Sequence, residues 1–283
     1  MKNKRNSGRK VFINRRTYTL SIILAAIVIL LFVAGAGLLM PAEAYATNFE
    51  NKNQPPSFLH LFGTDWMGRD MLARTVKGLS TSILIGVLAA GISSVIAVIL
   101  GTLSAVMGKK TDQAILWLID MVQGIPHLIL LMLISFMLGK GYQGVMVGIA
   151  VSHWPNLARI VRAEVLTVKN GQFVQASRKM GRSRMFIAIR HILPHVIPQY
   201  IVGLILLFPH AILHEASITF LGFGLSPEEP AVGIILSESM RYLTSGFWWL
   251  TVLPGAALLG IVLLFDAIGD NLRTIIDPYS AQE

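Results

Sequence analysis

STSILIGVLAAGISSVIAVILGTLSAVM, residues 80–107, runs from Ser80 to Met107 without one charged side chain. A helix needs about 20 mostly apolar residues to cross the hydrocarbon core of a bilayer, so this block reads as a spanning helix. Thr19–Leu39 precedes it, and Ala114–Leu138, Tyr142–Val165 in part, Ile197–Leu213 and Phe247–Ile268 follow. The chain is 54% hydrophobic and 14% charged, against about 25% charged in an average soluble domain. A soluble protein of this length can bury a good core, but it cannot hide this much apolar surface. The expected fold is an all-α integral membrane protein with six transmembrane helices. The first block has a basic leader and is followed by Ala42, Ala44 and Ala46, as a cleaved signal peptide would be. A signal core runs only about 7–15 residues. Thr19–Leu39 is longer and reads as a retained anchor.

The formal net charge of +9 would suit nucleic acid if it covered a soluble surface, but it is concentrated in two segments. Seven bases (Lys2, Lys4, Arg5, Arg9, Lys10, Arg15, Arg16) precede the first block with no acid among them. Eight more (Arg159, Arg162, Lys169, Arg178, Lys179, Arg182, Arg184, Arg190) lie between the fourth and fifth blocks against Glu164 alone. Residues 41–70 hold four acids and two bases, and residues 214–246 hold four acids and one base. Basic loops stay in the cytoplasm. The pattern therefore puts 108–113 and 166–195 inside, with both termini, and 41–78, Gly139–Gln143 and 214–246 outside. Only the short loop at Lys140 departs from it. Membrane lipid is the implied surroundings, and a nucleic-acid partner is not. The chain has no cysteine, so disulfides, thiolate metal sites and redox motifs are excluded.

Prolines interrupt three blocks at Pro126, Pro155 and Pro209. Proline removes a backbone donor, and lipid forbids unsatisfied backbone unless protein or a water-filled cavity covers it. Packing kinks and bends along a translocation path are both open readings. Gly86, Gly91, Gly101, Gly144 and Gly148 allow close helix contact, the last two as a GxxxG pair.

Residues 166–195 read as two short amphipathic helices joined at Gly181, a residue suited to ending one helix and turning the chain. Phe173, Val174 and Met180 can share one apolar side, and Met185, Phe186 and Ile189 another; Pro194 marks the start of the fifth span. The segment either offers an apolar and basic knob to a partner's groove or lies on anionic lipid.

The pattern Gln175-Ala176-Ser177, three residues, Gly181, ten residues, Ile192-Leu193-Pro194 resembles the EAA loop by which permease subunits of ABC importers engage their ATPases. Gln175 stands for the usual Glu and Ser177 for the second Ala. Phe62-Gly-Thr-Asp65-Trp-Met-Gly68-Arg69-Asp70 with Arg74 resembles the GTDxxGRDxxxR signature of the oligopeptide/dipeptide/nickel branch. Trp154 with Ala158 to Arg162, Glu215-Ala-Ser217 with Phe220 to Gly224, and Gly269-Asp270 to Asp277-Pro278 follow that branch in order. The resemblance implies a type I ABC importer permease fold. Its organisation would be a basic cytoplasmic N-terminus (1–18), a first transmembrane helix (19–39) and an external loop with the signature (40–78). A permease core (79–278), containing the coupling loop 166–195, and a cytoplasmic tail (279–283) would follow. It also implies a second homologous permease, two ATPase subunits carrying ATP and Mg, an extracytoplasmic substrate-binding protein, and short peptides or nickel or metal chelates as cargo. For Gln175, Ala176, Ser177, Gly181, Ile192, Leu193 and Pro194 it implies ATPase docking. The Gly-Thr-Asp signature has two readings, local ion pairing with helix capping by Thr64 or Asp65, and a docking surface for the binding protein.

Ionisable groups inside spans are costly and by default suggest function. They are Asp120 and His127 in the third block, His153 in the fourth, and His210, His214 and Glu215 around the fifth. His210 and His214 are spaced i, i+4, which can hold one metal ion, and imidazole suits nickel, copper and zinc. Interface hydrogen bonding is the competing use, and no metal ligand set is assigned. No enzyme is expected. His214-Glu215 begins a zinc-protease HExxH, but Ile218 stands where the second His must be, and no phosphate-binding loop exists. ATP chemistry must therefore come from a partner. A proton-coupled secondary transporter using Asp120 and the histidines is the alternative, and it leaves the 169–190 segment without a use.

Overall fold

The computed structural model describes residues 15–276. Lys2, Lys4, Arg5, Arg9, Lys10, Asp277-Pro278 and the tail 279–283 lie outside the described residues. Ten α-helices follow in order: α1 (Arg15–Leu39), α2 (Met71–Met107), α3 (Lys109–Gln123), α4 (His127–Met137), α5 (Gly141–Lys169), α6 (Gln172–Lys179), α7 (Arg184–Ile187), α8 (Leu193–Phe220), α9 (Val232–Leu243) and α10 (Trp249–Ile276). A π-helical turn, Ala188–Ile192, joins α7 to α8. Among the described residues no β-strand forms, and the loop before α2 makes an isolated bridge from Thr64 to Asp70.

Among the described residues four runs are long and apolar enough to cross a membrane: residues 16–39, α2, Arg184–Phe220 and α10. The pair α3–α4 makes a fifth if its two halves count as one span, bent by 87°. Length and composition thus support five of the six expected spans. The fourth block, inside α5, falls short because Gln143, Ser152, His153 and Asn156 dilute it and charged residues from Arg159 onward end it. It is nonetheless a central helix. α5 packs along α2 more extensively than any other pair, and also meets α4 and α8, and of its polar side chains Ser152 and His153 are buried against protein.

Of the three prolines, only Pro126 breaks its helix. It forms the N-cap of α4, and proline disfavours helical geometry at the residue before it, so the expected single helix 114–138 becomes two. Pro155 and Pro209 sit inside continuous helices. The glycines do as their size allows. A Cβ on Gly101 would fall 2.7 Å from the Ala158 carbonyl, and one on Gly144 would fall 2.8 Å from that of Ser135. These close approaches set α2 against α5 and α4 against α5. Gly91, in contrast, faces open space.

The main core runs through α2, α3, α4, α5 and α8, with Ala97, Ile149, Leu157 and Val196 in it. A second cluster joins α1 to α2, α8 and α10 through Ala26, Leu30, Ile83, Ile212 and Phe265. A third, outer cluster holds Met71, Ile235, Trp249 and Leu250. It is built on α9, which occupies part of the expected loop 214–246. Leu24, Leu31 and Phe32 on α1, Leu84, Leu88 and Val95 on α2, and Leu259 and Leu263 on α10 are exposed. Exposed apolar surface on this scale belongs against lipid.

Candidate functional site

Three sites come together at the two ends of the bundle and in its middle. At one end, α6 carries Val174 and Ser177 on its buried side, while Gln175 and Ala176 are exposed. Its C-terminus closes with Met180 N–H on the Ala176 carbonyl, Gly181 N–H on Arg178 and Arg182 N–H on Ser177. Gly181 holds φ +76°, and nothing lies within 4 Å of where its Cβ would be. Glycine adopts that left-handed geometry without the steric cost that other residues meet. Ser183 then caps α7, accepting from Phe186 N–H at 3.2 Å. Ile187, Ala188 and Ile192 turn inward, Leu193 is half-buried, and Pro194 is exposed in the first turn of α8, where a missing N–H costs nothing. What remains outside is an apolar and basic knob: Phe173, Met180, Met185, Phe186 and Ile189 with Arg178, Lys179, Arg182 and Arg190.

This knob is tied to the bundle by groups that the sequence offered only as topogenic charge. Lys169 Nζ donates to the Ala105 carbonyl at 2.5 Å, and Arg184 Nη1 donates to that of Met107 at 2.9 Å. Both cover the carboxyl end of α2, where unpaired carbonyls and the helix dipole favour cations. Burial, and then Arg178 and Arg184, hold the Lys169 ammonium below the ordinary lysine value. Arg162 binds Asp112 through Nε to Oδ1 and Nη2 to Oδ2, both at 2.6 Å, and Ser104 also donates to Asp112. α2, α3, α5 and α7 are thereby joined at one end.

At the other end, the signature 62–74 forms a lock. Asp65, fully buried, accepts Met67 N–H at 2.8 Å and Arg69 N–H at 3.0 Å on Oδ1. Its Oδ2 takes Arg69 Nε at 2.6 Å and Arg74 Nη1 at 2.9 Å. Both guanidiniums then reach Glu238 on α9, at 3.3 Å and 3.0 Å. Local ion pairing was expected. The helix cap, however, is neither Thr64 nor Asp65 but Asp70, which accepts from Ala73 N–H at 2.8 Å and meets His60 at 2.8 Å. Thr64 is spent on the loop, with its hydroxyl on the Asn51 carbonyl.

In the middle, a cavity of about 390 Å³ opens at the α3–α4 break, lined by Gln123, His127, His153, Asn156, His210 and His214 among others. A ladder of polar pairs runs up to it between α3–α4 and α5: Arg159 on Asp120 at 2.5 Å, Gln123 on Asn156 at 2.6 Å, and His127 against His153. His214 joins those two rings, while His210 is an exposed member of the lining. His210 and His214 both line the cavity, and the rings that His214 meets are those of His127 and His153. Glu215 does not belong to the cavity: it is fully buried and holds Ser82 at 2.5 Å and Thr219 at 2.9 Å. Gln123 and Asn156 gave no signal in the sequence beyond their presence in apolar blocks.

The family model for the binding-protein-dependent transport system inner membrane component matches residues 82–279. The dipeptide transport system permease protein DppC of Bacillus subtilis (strain 168) is 32% identical over 268 residues, covering 93% of this chain and 84% of the relative. The oligopeptide transport system permease protein OppC of the same organism is 33% identical over 252 residues, covering 89% and 82%. A chain of the MetNI methionine ABC transporter, solved in inward facing conformations, superposes with a TM-score of 0.61 at 22% identity, over 73% of this chain and 98% of that one. That likeness carries the fold. The residues matched by the family model and the two relatives carry the family: this chain belongs to the permease subunits of the ABC importers, transport components of the membrane and not enzymes.

Proposed function

We propose that the chain is one of two homologous permeases that together carry short peptides across the cytoplasmic membrane, with both termini cytoplasmic. Two separate ATPases, holding ATP and Mg, grip residues 169–190 and their counterpart in the second permease. An extracytoplasmic substrate-binding protein delivers cargo at the loops 40–78 and 214–246. The observation that carries this reading is the braced knob. Its apolar and basic side chains point away from the bundle, while Lys169 and Arg184 fasten it to the end of α2 and Arg162 ties α5 beside it to Asp112 of α3. A segment merely lying on lipid has no use for that fastening. Motor closure would push the knob, tilt α2 and α5 together, and switch the path from one face to the other. The polar ladder Asp120–Arg159, Gln123–Asn156 lies inside apolar blocks, where lipid contact is costly, and suits a water-filled path. It also spends Asp120 on Arg159, which disfavours the proton-coupled alternative.

Peptide cargo is supported by the names of the two Bacillus relatives. Nickel or a metal chelate is the second reading, favoured by the histidines of the cavity. The test has two arms. Gly181→Leu forces a side chain into left-handed backbone, at about 1–2 kcal/mol, and aims it out of the chain. The variant is expected in the membrane at parental amount but without its ATPase on copurification. Normal copurification with normal transport rejects the docking assignment. Uptake of a labelled dipeptide and of radioactive nickel, with and without histidine as chelator, in cells with and without the gene then assigns the cargo.

A further inference from the structure

Three imidazoles from three helices meet at the α3–α4 break. His127 opens α4, His153 sits in α5, and His214 lies in α8. One ring nitrogen from each can be chosen so that all three lie within 4.8 Å of one another. His153 is 7% exposed and its Nδ1 lies 3.0 Å from the Ile149 carbonyl. A carbonyl only accepts, and Ser152 Oγ, 3.1 Å from the same nitrogen, donates its own hydrogen to that carbonyl, so Nδ1 carries the hydrogen and the neutral ring keeps its lone pair on Nε2. That Nε2 is buried without a hydrogen-bond partner, and so is Nε2 of His127. Leaving a buried polar atom unpaired costs about 1–3 kcal/mol, and here two of them face one cavity.

The geometry points to a metal site: we propose that His127, His153 and His214 bind one borderline divalent transition ion, of the nickel, cobalt, zinc or copper class. Imidazole is a preferred ligand of these ions, whereas magnesium and calcium take oxygen ligands, and no carboxylate is among the residues lining the cavity. Metal-bound histidine almost always donates its other ring N–H to a carbonyl or carboxylate, as His153 does to Ile149. Metal–nitrogen bonds of about 2.0–2.1 Å in tetrahedral array bring nitrogens to about 3.3 Å. Closing to that spacing takes movements on the order of 1 Å, within the reach of ring rotation. Three protein ligands leave a fourth position open to the cavity, where a donor atom of a small chelate can bind. The site goes beyond the transport reading, since occupancy can be measured whether or not the metal is cargo.

The full-length chain, purified on a non-histidine tag with whatever subunits accompany it and placed in lipid nanodiscs, is loaded with Co(II) or Ni(II) and passed over a desalting column. The expected result is one retained equivalent, with X-ray absorption showing imidazole scattering and excess magnesium failing to displace it. His127→Gln and His153→Gln should each weaken binding by roughly 10- to 100-fold, and His195→Gln should leave it unchanged. His127 is only half-buried, so its variant reads the site even if His153→Gln fails to fold. Binding that survives the triple substitution, displacement by magnesium, or no retention above the triple variant overturns the proposal.

Discussion

Asp65 receives two guanidiniums and two backbone N–H groups while fully buried, and Arg74, beside it, is 4% exposed. Removing one partner from such a set strands the others, at about 3–5 kcal/mol. Asp65→Asn should therefore lower the unfolding temperature of the detergent-solubilised chain sharply. Arg74→Lys should not rescue the lock, because a lysine cannot hold Asp65 and Glu238 together through a planar fork. An Asp65→Asn protein as heat-stable as its parent would show the lock to be dispensable. The sequence made Asp65, Arg69 and Arg74 visible through their spacing, but not Glu238, which closes the set from far along the chain. The histidines follow the same pattern. An i, i+4 pair can be read along one helix, whereas the meeting of His214 with His127 and His153 depends on how α4, α5 and α8 pack.

Elements were legible where apolar length alone decided them, as in α1, α2, α8 and α10. The third block was not, because a proline marks where a helix can break while its neighbours decide how far it turns. The 87° bend at Pro126 opens onto the histidine cavity. α9 was missed inside a loop defined by acidic charge, although Val232, Ile235, Leu236 and Ser239 recur at helical spacing. The two short helices of 166–195 and their turn at Gly181 were legible, but the brace was not, since Lys169 and Arg184 bond to backbone carbonyls. The brace is testable as an element. Charge-assisted hydrogen bonds contribute about 1.5–3 kcal/mol each, so Lys169→Met with Arg184→Met should loosen the knob from α2 while keeping the exposed Phe173, Met180, Met185, Phe186 and Ile189. ATPase copurification should persist while uptake falls roughly tenfold. Parental uptake would mean that the brace transmits nothing.

For the molecule as a whole, α2 sets the scale. At 1.5 Å per residue, Met71–Met107 is about 55 Å long, enough to pass through the bilayer and both headgroup layers. The signature lock sits at its first turn, through Arg74, and the coupling segment grips its last, through the Ala105 and Met107 carbonyls. The two surfaces should therefore lie on opposite sides of the membrane, whichever way round the chain inserts. Charge decides the orientation: the basic segment 166–195 should stay inside and the acid-rich 41–70 outside. Because the chain has no cysteine, one introduced thiol reports one position. Phe58→Cys and Met180→Cys suit this test, both side chains being largely exposed. In intact cells, or in spheroplasts where an outer membrane blocks access, a membrane-impermeant maleimide should label Phe58→Cys and spare Met180→Cys. Inverted vesicles should give the reverse. Labelling of Met180→Cys from outside would invert the topology and remove the coupling segment from the reach of any cytoplasmic motor. Labelling of both from one side would break the argument from the length of α2, and with it the assignment of the lock and the knob to opposite faces.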